Sequence, residues 1–358
     1  MPTPLLFQPI TFRSVTARNR IVVSPMCQYS ATDGLGDDWH IQNLGAKAAG
    51  GAGIVMAEAT HVSAIGRITP GCLGAYDPRH QTLLTRLAAV IAKCGSVPGI
   101  QLAHAGRKAS SQLPWEGGKP IPPQNGGWVP LAPSAIPMVP GATDPHPLST
   151  NEIAGIAAQF AASARMAREA GFKVVELHSA HGYLSHSFLS PISNHRNDGY
   201  GGDLSGRMRF LMQTLDAIRT EWPADLPLWV RLSCTDYMPG GLTIDDVVEV
   251  AKRLAARGDV DLIDCSSGGV SNEQRIPSLH PGYQVPFADA IKHRAGIATG
   301  AVGMITEPTH AAEILANDRA DVVLLARALL ADPAWPLRAA KALGVKPELP
   351  SQYLRAAL

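Results

Sequence analysis

The chain has 358 residues, 46% hydrophobic and 17% charged, with 31 Lys plus Arg against 30 Asp plus Glu. This composition excludes disorder for the bulk of the chain, and the charge balance argues against a general nucleic-acid or anionic-membrane surface. At roughly 150 residues per domain the length suggests about two domains, although α/β barrels routinely exceed about 250 residues as one unit.

Five cysteines, at 27, 72, 94, 234 and 265, are odd in number, widely spaced and form no CxxC pair. That pattern excludes a disulfide scaffold, a zinc ribbon and a Cys-ligated iron–sulfur cluster. No basic leader opens the chain, and no apolar run approaches the ~18 residues of a membrane span. A soluble, reducing, cytoplasmic setting is expected.

In chain order, eight short apolar runs stand out: 21–23, 53–56, 99–102, 174–177, 228–232, 260–265, 296–298 and 322–325. None alternates polar with apolar, as expected of parallel strands covered on both faces. Helical segments lie between them. Asp77-Pro78 opens a helix expected over 78–94, with a capping residue followed by Pro at the first position. Ser149 through Glu152 has capping-box spacing ahead of an Ala-rich helix that stops at Gly171. Thr243 through Asp246 starts another helix, ending near Gly258, and Thr306-Glu307-Pro308 and Asp332-Pro333 start two more. The repeat of strand and helix predicts a TIM (β/α)8 barrel in a single domain, 1–358. A doubly wound sheet is the competing fold, but no GxGxxG follows the first run.

Connections from helix to strand are short, and those from strand to helix are long. The longest, 104–148, carries ten Pro and two Trp, Trp115 and Trp128. It is expected to be an ordered lid rather than a disordered insertion, at the barrel face where active sites are built.

Polar and titratable groups follow nearly every run. Gly300 and Gly303 with Arg327, after the seventh and eighth, suit a phosphate, or else a tight turn and an ion pair. His178 and His181, with Tyr183 two residues on, offer donors for a carbonyl oxygen and a phenol as proton donor. Glu176, His178 and His181 could instead form a 2-His-1-carboxylate metal site. The residues alone leave both open. Arg231 suits either a buried ion pair or stabilisation of charge on a bound ring.

Six segments together resemble the Old Yellow Enzyme family. They are Ser24-Pro25-Met26-Cys27-Gln28-Tyr29-Ser30, Gln101 through Lys108, His178 through Leu184, Phe188 through Arg196, Asp198 through Gly202, and Asp264 through Gly268. Cys27 and His181 resemble the thermophilic-like, xenobiotic-reductase branch. The resemblance implies a barrel with non-covalent FMN and NADPH or NADH as reductant. It implies ping-pong reduction of the C=C bond of enones and similar electrophiles. It places Ser24, Pro25, Met26, Cys27, Ala59, Gln101 and Arg231 at the flavin, and Gly303, Ala326 and Arg327 at its phosphate. The family usually has Gly where this chain has Ala326.

The resemblance further implies that His178 and His181 bind the substrate carbonyl and that Tyr183 delivers the proton. Cys27 would tune the flavin, and Tyr29 would contact substrate. In the tail, 346–358, Arg355 resembles a residue that reaches a neighbouring subunit's site, which implies a homodimer or a dimer-built homotetramer. Two other functions compete: a metal-dependent barrel lyase or hydrolase, and a non-catalytic flavin-binding redox sensor.

Overall fold

The computed structural model describes residues 2–356; Met1 and the tail positions 357 and 358 lie outside the described residues. Eight parallel strands close into a barrel in chain order. They are β1 (Ile21–Val23), β2 (Ile54–His61), β3 (Val97–Ala103), β4 (Val174–Ser179), β5 (Leu228–Ser233), β6 (Leu262–Ser266), β7 (Thr299–Ala301) and β8 (Val322–Leu325). Eight main helices cover it: α1 (Asp38–Ala49), α2 (Gln81–Lys93), α3 (Thr150–Ala170), α4 (Leu204–Glu221), α5 (Ile244–Arg257), α6 (Val285–Ala295), α7 (Pro308–Ala316) and α8 (Trp335–Ala342). Among the described residues no helix is long and apolar enough to cross a membrane.

The capping signals act as expected. Ser149 and Glu152 form a reciprocal capping box on α3, and Gly171 ends that helix in the left-handed region. Thr243 and Asp246 do the same for α5. The helix expected over 78–94 divides into a 3₁₀ turn, Pro78–His80, and α2 proper.

The seventh run requires correction. Gly296 caps α6 with φ +68°, so the strand begins three residues later, at Thr299. A left-handed glycine cap followed by an isoleucine mimics the start of a strand in sequence. Gly300 is also reassigned: a Cβ there would meet Leu324 Cδ1 at 2.3 Å, so this glycine admits Leu324 to the barrel interior.

The interior is layered. Val22, Ile54, Met56, Val174, Trp229, Leu262, Val322 and Leu324 fill its lower half with Phe12, whose ring stands edge-on to Trp229 at 5.3 Å. Phe12 comes from an N-terminal hairpin, Ile10–Phe12 paired with Val15–Ala17, that plugs this end. The larger core lies between the strands' outer faces and the helices. With the lower barrel filled by apolar packing, room for a ligand inside the barrel lies at the upper end, where the long loops meet.

Candidate active site

Strand periodicity decides which side chains reach the mouth. On β4, Val174, Glu176 and His178 face inward because side chains alternate across a strand. Val174 is in the lower layer, Glu176 above it, and His178 at the mouth. Arg231 on β5 pairs in register with His178, and Asp264 on β6 pairs with Arg231.

A bulge on β2 re-aims one position. Ala57 pairs with Ile100 and Ala59 with Gln101, leaving Glu58 as the extra residue. Without the bulge, Glu58 would face Gln101 inside the barrel. With it, the small Ala59 takes that place, and the Glu58 carboxylate turns to accept from the Gln28 N–H at 3.0 Å and to face His40 at 3.4 Å. Bulges beside active sites commonly act in this way.

The segment after β4 is a tight turn. His181 has φ +59° and Gly182 φ +74°. A Cβ on Gly182 would lie 2.3 Å from the Gly269 carbonyl oxygen, so only glycine fits. The turn is tied from three sides. The Ser233 hydroxyl accepts from the His181 N–H at 2.9 Å, and the Lys108 ammonium donates to the His181 and Gly269 carbonyls at 2.9 and 3.1 Å. His186 Nδ1 accepts from the Gly182 N–H at 2.8 Å, while its Nε2 faces the buried Asp236 at 3.0 Å.

This frame brings His178, His181 and Tyr183 together. The His178 ring centroid is 5.1 Å from that of His181 and 4.7 Å from that of Tyr183, both edge-on. His178 Nδ1 accepts from the Ala180 N–H at 3.2 Å, so its proton resides on Nε2. That N–H faces His181 Nδ1 at 3.3 Å, and His181 Nε2 then donates to the Ser266 hydroxyl at 2.6 Å. Burial, reinforced by Arg231, pushes both imidazoles well below the usual histidine range. Both are neutral donors. Burial pushes the Tyr183 phenol well above its ordinary value, so it stays protonated. The Lys108 ammonium lies 5.2 Å over the Tyr183 ring, and burial pulls it down to about 8.

Two cavities flank this cluster. One, of about 410 Å³, lies within the size range of small-molecule sites. It runs from His181 and Arg231 past Ser266 and Gly303 to Ala326 and Arg327. The other, of about 290 Å³, is walled mainly by the 104–148 segment and reaches Tyr29 and Tyr183.

Most expected site residues converge here. Cys27, Tyr29 and Tyr183 pack on one apolar cluster with Cys72 and Ala105. Burial pushes the Cys27 thiol well up, as it does the Tyr29 phenol. Ser24 and Pro25 are buried at the end of β1, where the Ser24 N–H donates to Leu325 at 2.9 Å, next to Ala326. Ala326 has φ −111° and ψ −92°, a negative φ that any L-residue can adopt but a pair outside the regular α and β regions. Gly303, by contrast, has φ +129° and needs glycine.

Two residues stand apart. Met26 packs against the outer core. Arg355 is exposed on a tail whose Tyr353 and Ala356 lie near Gly50 and Pro333, away from both cavities of its own chain. The metal arrangement is not assembled. Glu176 Oε1 accepts from the Gln101 amide at 2.7 Å, and no group of three His, Cys, Asp or Glu among the described residues is placed to hold a metal ion. Lys108, Ser266, His186 and Asp236 were not singled out from sequence as site residues. The first two lie inside the matching motifs; only the fold shows what they touch.

The residues of the larger cavity fit FMN. Arg231 offers a cation whose Nε is buried without a hydrogen bond of good geometry, Gly303 lines the cavity in a backbone conformation that needs glycine, and Arg327 is exposed at the mouth. The comparisons agree. The family model described as NADH:flavin oxidoreductase / NADH oxidase family matches residues 5–345. An NADPH dehydrogenase of Geobacillus thermodenitrificans (strain NG80-2) is 46% identical over 356 residues, covering 98% of each chain. Among solved structures, a 2-naphthoyl-CoA reductase complex superposes with TM-score 0.85 at 28% identity; it covers 94% of this chain, which spans 52% of that longer one. Morphinone reductase in complex with tetrahydroNAD superposes with TM-score 0.77 at 24% identity over 98% of this chain and 93% of its own, a likeness of fold.

Proposed function

The chain belongs to the NADH:flavin oxidoreductase / NADH oxidase family and is an NAD(P)H-dependent flavin oxidoreductase that uses FMN; we propose that it reduces the activated C=C bonds of α,β-unsaturated carbonyls in a ping-pong cycle. Bound FMN supplies hydride exchange, accepting from the nicotinamide and donating to the alkene β-carbon. Ala59, Gln101 and Arg231 would hold its ring, beside Ser24, Pro25 and Cys27. Gly303, Ala326 and Arg327 would hold its phosphate.

The observation that carries this reading is the neutral His178–His181 pair beside a protonated Tyr183. Neutral imidazole N–H groups suit a carbonyl oxygen, because they stabilise enolate charge as it develops without neutralising the site beforehand. His178 Nε2 is the first donor, since its other nitrogen is committed to Ala180. His181 is the second, exchanging its present partner Ser266 for the substrate. Tyr183 then delivers a proton to the α-carbon, and Lys108 over its ring face eases departure of that proton. Tyr29 and the 104–148 wall would contact the remainder of the substrate and exclude water. Arg355, exposed in its own chain, would complete the site of a second copy in a homodimer or dimer-built homotetramer.

Anaerobic stopped-flow mixing tests the reading. NADPH should bleach the oxidised flavin, 2-cyclohexenone should restore it, and steady-state double-reciprocal plots should be parallel. A reduced flavin that stays reduced in excess enone would refute the proposed substrate class.

A further inference from the structure

One level below the mouth, four inward-facing polar side chains share a chamber with apolar surroundings: Gln101 on β3, Glu176 on β4, Arg231 on β5 and Asp264 on β6. Glu176 and Asp264 are both 0% exposed, so two buried carboxyls face one guanidinium just beneath the cavity at the mouth. Arg231 Nε is 2.9 Å from Asp264 Oδ2. Glu176 receives one hydrogen bond, from Gln101, and its Oε2 has none. The floor is apolar: Val174, Trp229, Met56 and Leu324. His178 above is held neutral and contributes no charge. Arg231 also lines the cavity that fits FMN, so the same cation serves the buried carboxyls and the cofactor.

A fixed single cation cannot balance two carboxylates and a cofactor that gains negative charge, and unpaired buried charge is removed by protonation. We propose that Glu176 is a positioning residue that acts through Arg231, exchanging a proton with solvent as the cofactor's charge changes so that the guanidinium remains free to answer it. Burial, with Asp264 beside it, pushes the Glu176 carboxyl up to about 8. In alkaline solution the oxidised enzyme therefore carries Glu176 ionised. NADPH delivers two electrons and one proton to FMN as hydride and leaves as NADP⁺. With Glu176 ionised, one further proton passes from solvent to its carboxylate. With Glu176 already neutral, none does. Reoxidation by substrate returns that proton to solvent.

The inference rests on FMN occupying the Arg231 cavity and not on the identity of the alkene. The test is anaerobic reduction of the FMN-loaded protein by NADPH in weak buffer with a pH indicator. Uptake should rise from near zero at about pH 6.5 toward one proton per FMN at about pH 9.5, spanning the carboxyl's titration. Glu176→Gln keeps the shape and cannot titrate, so its uptake should stay near zero throughout. Lys108 also titrates near 8 and is retained in that variant, which separates the two groups. Native uptake that is flat, or a Gln variant that rises like the native protein, overturns the proposal. Should the variant fail to hold FMN, infrared spectra of the native holoprotein decide. A buried carboxylic-acid carbonyl band should be present at about pH 6.5 and fade toward about pH 9.5, and its absence throughout overturns the assignment. Enone failing to reoxidise the flavin while uptake still rises would sink the substrate reading and leave this one standing.

Discussion

Asp236→Ala tests how the catalytic turn is held. Asp236 is 0% exposed and faces His186 Nε2 at 3.0 Å, while Oδ2 accepts from Ser190 Oγ and the Leu242 N–H, each at 2.7 Å. Burial pushes this carboxyl up, but His186, Ser190 and Leu242 outweigh it and hold it below the usual range. The carboxylate serves three buried groups, the His186 Nε2 side, the Ser190 hydroxyl and the Leu242 N–H, and leaving buried donors unpaired costs about 1–3 kcal/mol each, taken as about 3–5 kcal/mol together. Unfolding entropy of about 2.1 cal/mol/K per residue gives roughly 0.75 kcal/mol/K for this chain, so Tm should fall by about 4–7 K. The assay is calorimetry at saturating FMN, which holds the ligand's contribution constant. Because the folded pKa is depressed, the carboxylate's contribution is complete above its unfolded value, about 3.9, and is lost as pH falls through the folded one. The difference in Tm should therefore be constant between about pH 6 and 8. His186 passes the constraint to the Gly182 N–H, so kcat for enone reduction should fall while FMN stays bound. A Tm within about 1 K of the native value, with unchanged kcat, would refute the reasoning.

Tyr183→Phe should slow reoxidation by enone about 10²-fold or more and leave flavin reduction by NADPH near normal, since only the former needs the proton; equal slowing of both in stopped flow would contradict the role. His181→Ala should weaken phenolic ligands at least about 10-fold in a spectral titration of the flavin, as one of two N–H donors is lost. Unchanged affinity would move oxygen binding elsewhere. Arg327→Ala should raise the FMN dissociation constant about 10-fold, read by fluorescence of released flavin, because a charge-assisted contact to phosphate is removed. Equal affinity of native and variant proteins would place the phosphate away from β8.

The barrel was legible because its strands are buried on both faces: Leu228 to Leu232 and Val322 to Leu325 are unbroken apolar runs apart from Arg231. Caps were legible because Ser149 with Glu152 and Thr243 with Asp246 carry their bonding partners within four residues. The seventh strand was misplaced because Gly296 is a left-handed cap, and nothing local distinguishes that glycine from one inside a strand. The β2 bulge was invisible for a related reason: Glu58 lies just past the apolar run 53–56, and only its pairing with β3 shows it to be the extra residue.

Long-range partnerships explain the rest. Asp236 meets His186 across 50 positions, Lys108 meets the His181 carbonyl across 73, and Arg231 meets Asp264 across 33. No periodicity encodes those distances; they follow from strands β3 to β6 standing side by side. The same reasoning explains why a motif search finds His178 and His181 while missing what makes them useful. An isolated imidazole titrates near neutrality. Here burial and Arg231 keep both neutral, and Ala180 fixes the first proton on Nε2. The residue types were written in the sequence, but their protonation states belong to the closed barrel.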